Sequence, residues 1–208
     1  MSGNTMRLWT IQTVEAYQRL MQTGVLQADT KHICDDSFAD AYNWMVSEMA
    51  KRIGNPPDGV QYPVWAWYQM DGKRKKPDLR CGGYAPRGTP LVLLTIDIDE
   101  GDVVLSDFDD WHFVLNYFYL ALNEEDDNRF HEMYEKEGFT LHDLRNSDLE
   151  SPCLEECRKQ IEQSWKRIFD LRRSESDWDV PHDKKSVQAT FWELKAEQIL
   201  KAEHFIAK

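Results

Sequence analysis

Apolar residues change their period several times along the chain, and each change marks an element. Residues 7–12 (RLWTIQ) mix β-branched and aromatic residues with polar ones and predict a short strand. Thr13 then caps a helix running to about Thr23, with Val14, Tyr17, Leu20 and Met21 on one side and Gly24 ending it. Val25 to Ala28 reads as a short extended return. Ser37-Phe38-Ala39-Asp40 has capping-box spacing with Asp in place of Glu. It leads into a helix whose Ala41, Trp44, Met45 and Met49 recur at helical spacing, and Gly54, Pro56 and Pro57 stop it.

The middle of the chain has the period of strands. In residues 62–70 (YPVWAWYQM), Val64, Ala66 and Tyr68 alternate with Trp65, Trp67 and Gln69, and Pro63 suits an edge or a strand beginning. Residues 71–90 are a basic, glycine-containing loop with room for a short strand at Leu79 to Cys81. Leu91 to Ile98 is the clearest buried strand. A turn at Glu100-Gly101 follows, and Val103 to Leu105 is expected to pair back as a hairpin.

From Ser106 the pattern turns helical. Ser106 has capping-box spacing to Asp109, and Asp109 and Asp110 suit a helix N-terminus. Trp111 to Leu122 is apolar nearly all round and predicts a central helix. Further helices are expected over Glu125 to Glu137 and Ser151 to Arg173. A polar connection, Ser174 to Lys185, leads to a last strand over Val187 to Leu194. There Val187, Ala189, Phe191 and Glu193 oppose Gln188, Thr190 and Trp192. A helical turn at Ala196 to Leu200 and a final extension, His204 to Ala207, complete the chain. Without regular βαβ alternation, this order predicts an α+β fold. The expectation is one domain over residues 1–208, with a small mixed or antiparallel sheet and the helical portion 106–173 packed on it.

Composition narrows the functions this fold can serve. The 208 residues carry a formal charge of -12, which works against nonspecific binding along nucleic acid. One basic stretch, Lys73 to Lys76 with Arg80 and Arg87, reads either as a solvated loop or as a contact for a phosphate or an acidic partner. No segment approaches the roughly 20 apolar residues that span a bilayer, and the opening MSGNTMRLWTIQ lacks the pattern of a signal peptide. The four cysteines suggest neither a disulfide framework nor a zinc pattern. A cytoplasmic protein without membrane contact or bound metal is expected, its partner a nucleotide or a protein.

Three polar clusters are candidates for chemistry. Asp107, Asp109 and His112 supply an acid/base pair or oxygen and nitrogen ligands, unless the acids serve only the helix N-terminus. Trp65, Trp67 and Arg80 would stack a planar ring and hold a phosphate, or else the tryptophans pack against a helix. Gln188, Thr190 and Glu193 on the last strand, with Arg7, Trp9 and Gln12 on the first, are polar positions that need partners or a ligand.

RLWTIQ, YPVWAWYQ, VLSDFDDWHFVLN and VQATFWEL resemble the bacterial family called domain of unknown function 3841, over about residues 6 to 206. That family name implies no activity. A weaker similarity is to small ADP-ribosyltransferase-like domains, which begin with a strand and helix and end with a strand bearing a catalytic acid. It implies Arg7 or Thr10 at the first-strand position, Trp65 or Trp67 stacking nicotinamide, Glu193 as the late acid, and NAD as the ligand. The first strand has no His, a departure from that pattern. Two other readings stand beside it. One is a non-enzymatic binding or regulatory module; the other is a hydrolase using Asp107, Asp109 and His112.

Overall fold

Strand β1 (Thr5–Thr13) turns directly into helix α1 (Val14–Thr23), because Thr13 is the last extended residue and its hydroxyl accepts from Ala16 N at 3.1 Å. Gly24, at φ 83°, ends the helix in the left-handed region and lets β2 (Val25–Leu26) return. A computed structural model describes residues 4–28, 38–146, 149–173 and 180–208. The expected cap Ser37 lies outside the described residues; α2 (Ala39–Ile53) follows Phe38 and buries Ala41, Met45 and Met49 as its spacing predicts.

Strands β3 (Val64–Gln69), β4 (Pro90–Asp99), β5 (Val104–Asp107), β6 (Val187–Phe191), β7 (Leu194–Lys195) and β8 (Ile199–Ile206) complete the β structure. Six of them form one sheet in the order β5-β6-β3-β1-β4-β8, and β2 pairs with β7 in a small separate ribbon. β1 lies antiparallel to β4 over nine residue pairs, and β8 takes the other side of β4. Both edges of β4 are therefore occupied. This corrects the hairpin expected between β4 and β5, since β5 instead lies beside β6. Register also shifts at β8: Thr95 faces Lys201 while Ile96 faces Ile199, so Leu200 is a bulge in the edge strand.

Only Glu100 to Val103 link β4 to β5, although β1, β3 and β6 lie between them. In a flat sheet those strands would stand roughly 19 Å apart, and five extended residue steps reach only about 17 Å. The sheet must therefore curl. Leu8, Leu94, Ile96, Ala66, Ala189 and Phe191 share the inner face, where Ala16 and Leu20 of α1 join them in the core. Alternation puts Trp9, Trp67 and Gln188, which pair across three strands, on the opposite face. That face is covered too. Tyr42 of α2 meets Trp65 edge-on with ring centroids 5.9 Å apart, and the basic loop lays Arg74 over Trp9 and Tyr84 against Phe205.

Residues 1–105 with 186–208 form one compact unit, and residues 106–185 form a second. In the second, α3 (Phe108–Leu115), α4 (Glu124–Glu135), α5 (Leu141–Asn146) and α6 (Pro152–Ser164) are followed by a 3-10 turn over Trp165–Phe169. The predicted helix over residues 111–122 is shorter than expected, since Tyr117 turns to φ 59°. Beyond it the backbone is a strap bonded by side chains. Trp165 Nε1 donates to Phe118 O, Ser164 Oγ accepts from Leu120 N, and Arg167 and Arg173 donate to the carbonyls of Leu120 and Ala121. The helix expected to run to Arg173 likewise stops at Ser164. The second unit holds 21 acidic and 11 basic residues against 16 and 14 in the first, so nearly all the net charge belongs to it.

Candidate functional site

In the first unit, the chain leaves β6 at Phe191 and turns through Trp192 and Glu193 into β7. Trp192 is anchored there: its Nε1 donates to Gly54 O at 3.0 Å, just past the end of α2. Glu193 is half-buried, and its Oε1 accepts from Gln27 Nε2 at 2.6 Å. Around these residues lies a cleft of about 150 Å³. Ile53, Pro57, Ile98, Phe191 and Trp192 supply its apolar walls, and Asp102, Glu193, Lys195 and Gln198 its polar groups. Apolar side chains beside converging polar groups are a combination that small-ligand sites use.

Of the other residues expected at a site, most are engaged by the fold. Arg7 Nη2 donates to Asp97 Oδ2 at 3.1 Å, directly across the β1–β4 register. Thr10 is buried and its hydroxyl donates to Trp65 O at 2.7 Å, while Gln12 Nε2 donates to Thr10 Oγ1 at 2.7 Å. Thr10 thereby ties β1 to β3, whose register pair is Trp9–Trp67, and Gln12 holds the Thr10 hydroxyl from within β1. Arg80 is held by Asp78 within its own loop, and the contact keeps the Asp78 carboxyl well below the usual range. The cation at the tryptophans is Arg74. Its guanidinium lies 3.6 Å from the Tyr68 ring centroid and 5.6 Å from that of Trp9, and it donates to Tyr68 O and Arg7 O. Burial lowers its pKa. Beside Trp67, the Gln188 side-chain nitrogen is buried and has no hydrogen-bond partner among the described residues.

The acidic cluster belongs to the second unit. Asp107, not Ser106, is the N-cap of α3, with Oδ1 accepting from Asp109 N at 3.0 Å and Asp110 N at 3.2 Å. Ser106 is displaced from that role because it is still part of β5. Asp107 Oδ2 also faces Lys185 Nζ at 2.8 Å. Asp110 meets Arg173 Nη2 at 2.7 Å, yet burial and the neighbouring Asp107 raise its pKa. His112 and Asp109 are exposed, and His112 Nδ1 turns back to Phe108 O at 3.0 Å. Among the described residues, no three His, Cys, Asp or Glu side chains come together as metal ligands.

Glu193 stands out in the sequence as a candidate acid, and the structure places Trp192 and Gln27 beside it, neither of which the sequence singles out as its companion. Trp192 is adjacent to Glu193 in the sequence, so proximity was a usable signal. Gln27 is 166 residues away and offered none.

Fold and site define an α+β protein with a curled, largely antiparallel sheet and a small cleft where the chain leaves strand β6. Residues 7–200 match the family described as Domain of unknown function (DUF3841), and the chain belongs to that family. No curated protein and no solved structure matches it, so neither comparison bears on the likeness to ADP-ribosyltransferases. Among the described residues no helix is long and apolar enough to cross a membrane.

Proposed function

We propose that this protein is an NAD-dependent ADP-ribosyltransferase-like enzyme whose reacting end lies at Glu193. One observation carries the reading: the Glu193 carboxylate is held by Gln27 at a cleft walled by Phe191 and Trp192. A volume of about 150 Å³ falls below the roughly 300–1,000 Å³ of pockets for drug-sized molecules and suits a single flat ring. Nicotinamide is such a ring. As its bond to the ribose C1′ breaks, the electron pair leaves with the ring and positive charge develops at C1′. A fixed carboxylate beside that carbon stabilises the charge. An acceptor oxygen or nitrogen then bonds to C1′ and loses its proton.

A second reading, a non-enzymatic binding module for a nucleotide or a protein, is favoured by the engagement of Arg7, Thr10, Arg80 and Asp107 inside the fold. One experiment separates the two. The wild-type chain and Glu193→Gln are incubated with NAD, and nicotinamide release is measured alongside the melting temperature. The transferase reading expects a saturable rise in melting temperature and nicotinamide release that Glu193→Gln reduces by at least tenfold. A saturable shift without release leaves the binding module, and neither response removes NAD as the ligand.

A further inference from the structure

Two cysteines meet on helix α6 of the second unit. Cys153 and Cys157 are four residues apart, so the helix sets them on one face, one turn above the other. Both are free thiols, and they hydrogen-bond to each other. Cys153 Sγ donates onward to Met133 O at 3.4 Å, which turns the pair toward α4. Met133 also reaches further along α6, where its Sδ accepts from Gln160 Nε2 at 3.7 Å. Cys157 is fully buried and Cys153 half-buried, so the pair is closed on one side and open on the other. An open groove of about 430 Å³ runs past Phe130, Met133 and Gln160.

Spacing decides what two thiols so placed can do. Side chains four apart on a helix have Cβ atoms about 5–6 Å apart. A disulfide needs about 3.5–4.5 Å, so an intact helix does not let this pair close one. An ion inserted between the sulfurs adds a second bond of about 2.3 Å and spans the difference. The donors then select the ion. Thiolates and thioethers are soft ligands and favour soft cations, monovalent copper among them. Zinc in structural sites takes four ligands, and among the described residues no third His, Cys, Asp or Glu joins the pair. Monovalent copper is satisfied by two thiolates. The complex would carry one negative charge, which suits the first turn of α6, where Cys153 stands.

We propose that Cys153 and Cys157 form a two-thiolate site for monovalent copper, with the Met133 thioether as a soft neighbour on the facing helix. Binding breaks two S–H bonds and makes two copper–sulfur bonds. Both protons pass to solvent and no electron is transferred. Burial and the neighbouring Cys153 push the Cys157 thiol up to about 12, so the metal-free pair keeps this proton and the ion has to displace it. The site stands apart from the reading of Glu193, whose residues belong to the first unit.

The test titrates the reduced full chain, without oxygen, against copper(I) held by bicinchoninate, whose coloured complex fades as it gives up metal. Wild type is expected to withdraw one equivalent and to gain near-ultraviolet absorption from copper–thiolate bonds. The double variant Cys34→Ser with Cys81→Ser, which removes the other two thiols, should behave as wild type. Cys153→Ser and Cys157→Ala are each expected to weaken binding at least a hundredfold, and melting temperatures show whether each has folded. Cys157 is a core position, so Cys153→Ser decides the matter if Cys157→Ala does not fold. Wild type that takes no copper from the chelator overturns the site. So does Cys153→Ser that binds as tightly as wild type, or loss of binding in the double variant.

Discussion

Lys185 Nζ lies 2.8 Å from Asp107 Oδ2, and each side chain is only 2 % exposed. The same carboxylate caps α3 through its other oxygen. Removing the lysine charge leaves a buried anion whose remaining donors, among the described residues, are backbone N–H groups, a change that typically costs about 3–5 kcal/mol. Lys185→Met is therefore expected to lower unfolding free energy by about that much in urea denaturation. Asp109→Ser, at an exposed position, is expected to stay within about 1 kcal/mol of wild type. Equal losses in the two variants would show that the buried pair has no special weight.

Glu48 is a buried carboxylate in the middle of α2, bonded by Lys51 Nζ at 2.8 Å and by Arg52. Burial works to raise its pKa, but hydrogen bonds from Lys51 and Arg52 outweigh that and hold it below its ordinary value. A carboxyl depressed in the folded state stabilises the fold above its unfolded pKa of about 4.3. That contribution is lost as pH falls through the folded pKa. Glu48→Gln should therefore cost about 1–3 kcal/mol at neutral pH and flatten the fall of stability below pH ~4. Denaturation measured from pH 7 to pH 3 checks it, and a wild-type slope in the variant would contradict the assignment.

Arg74 and Arg80 are six residues apart in one basic loop, and their surroundings predict opposite outcomes. Arg74 packs on Tyr68 and Trp9, while Arg80 is exposed and bonded only to Asp78 among the described residues. Arg74→Ala is expected to destabilise by about 1–2 kcal/mol and to alter tryptophan fluorescence, as an aromatic-stacked cation is lost. Arg80→Ala should lie within about 0.5 kcal/mol of wild type with unchanged fluorescence. Thermal melts followed by fluorescence report both quantities.

What was legible in the sequence was local. Thr13 and Gly24 bound α1 through side-chain capping and a left-handed turn, and both depend on neighbours within a few residues. The apolar run of β4 announced its burial in the same way. Partners distant in the chain left no comparable mark. β5 chose β6, about 80 residues later, because β1 and β8 had already occupied both sides of β4. The run after Leu115 is apolar enough for a helix, yet side-chain hydrogen bonds with residues 164 to 173 hold it as a strap. The candidate site divides similarly. Glu193 is expected on a last strand running to Leu194, but that strand ends at Phe191, Glu193 stands in the turn before β7, and the last strand is β8. Its tie to Gln27 and the cleft walls Ile53 and Pro57 come from residues distant in the chain.

The bulge at Leu200 reaches beyond local geometry. An unbroken eight-residue edge would offer evenly repeating donors and acceptors on which another polypeptide could be templated. Offsetting Leu200 breaks that repeat within β8, and Lys201 and Glu203 add charge just beyond the break. The rim of the sheet is thereby made irregular near the start of β8, while Lys201 to Ile206 keep an even register with β4.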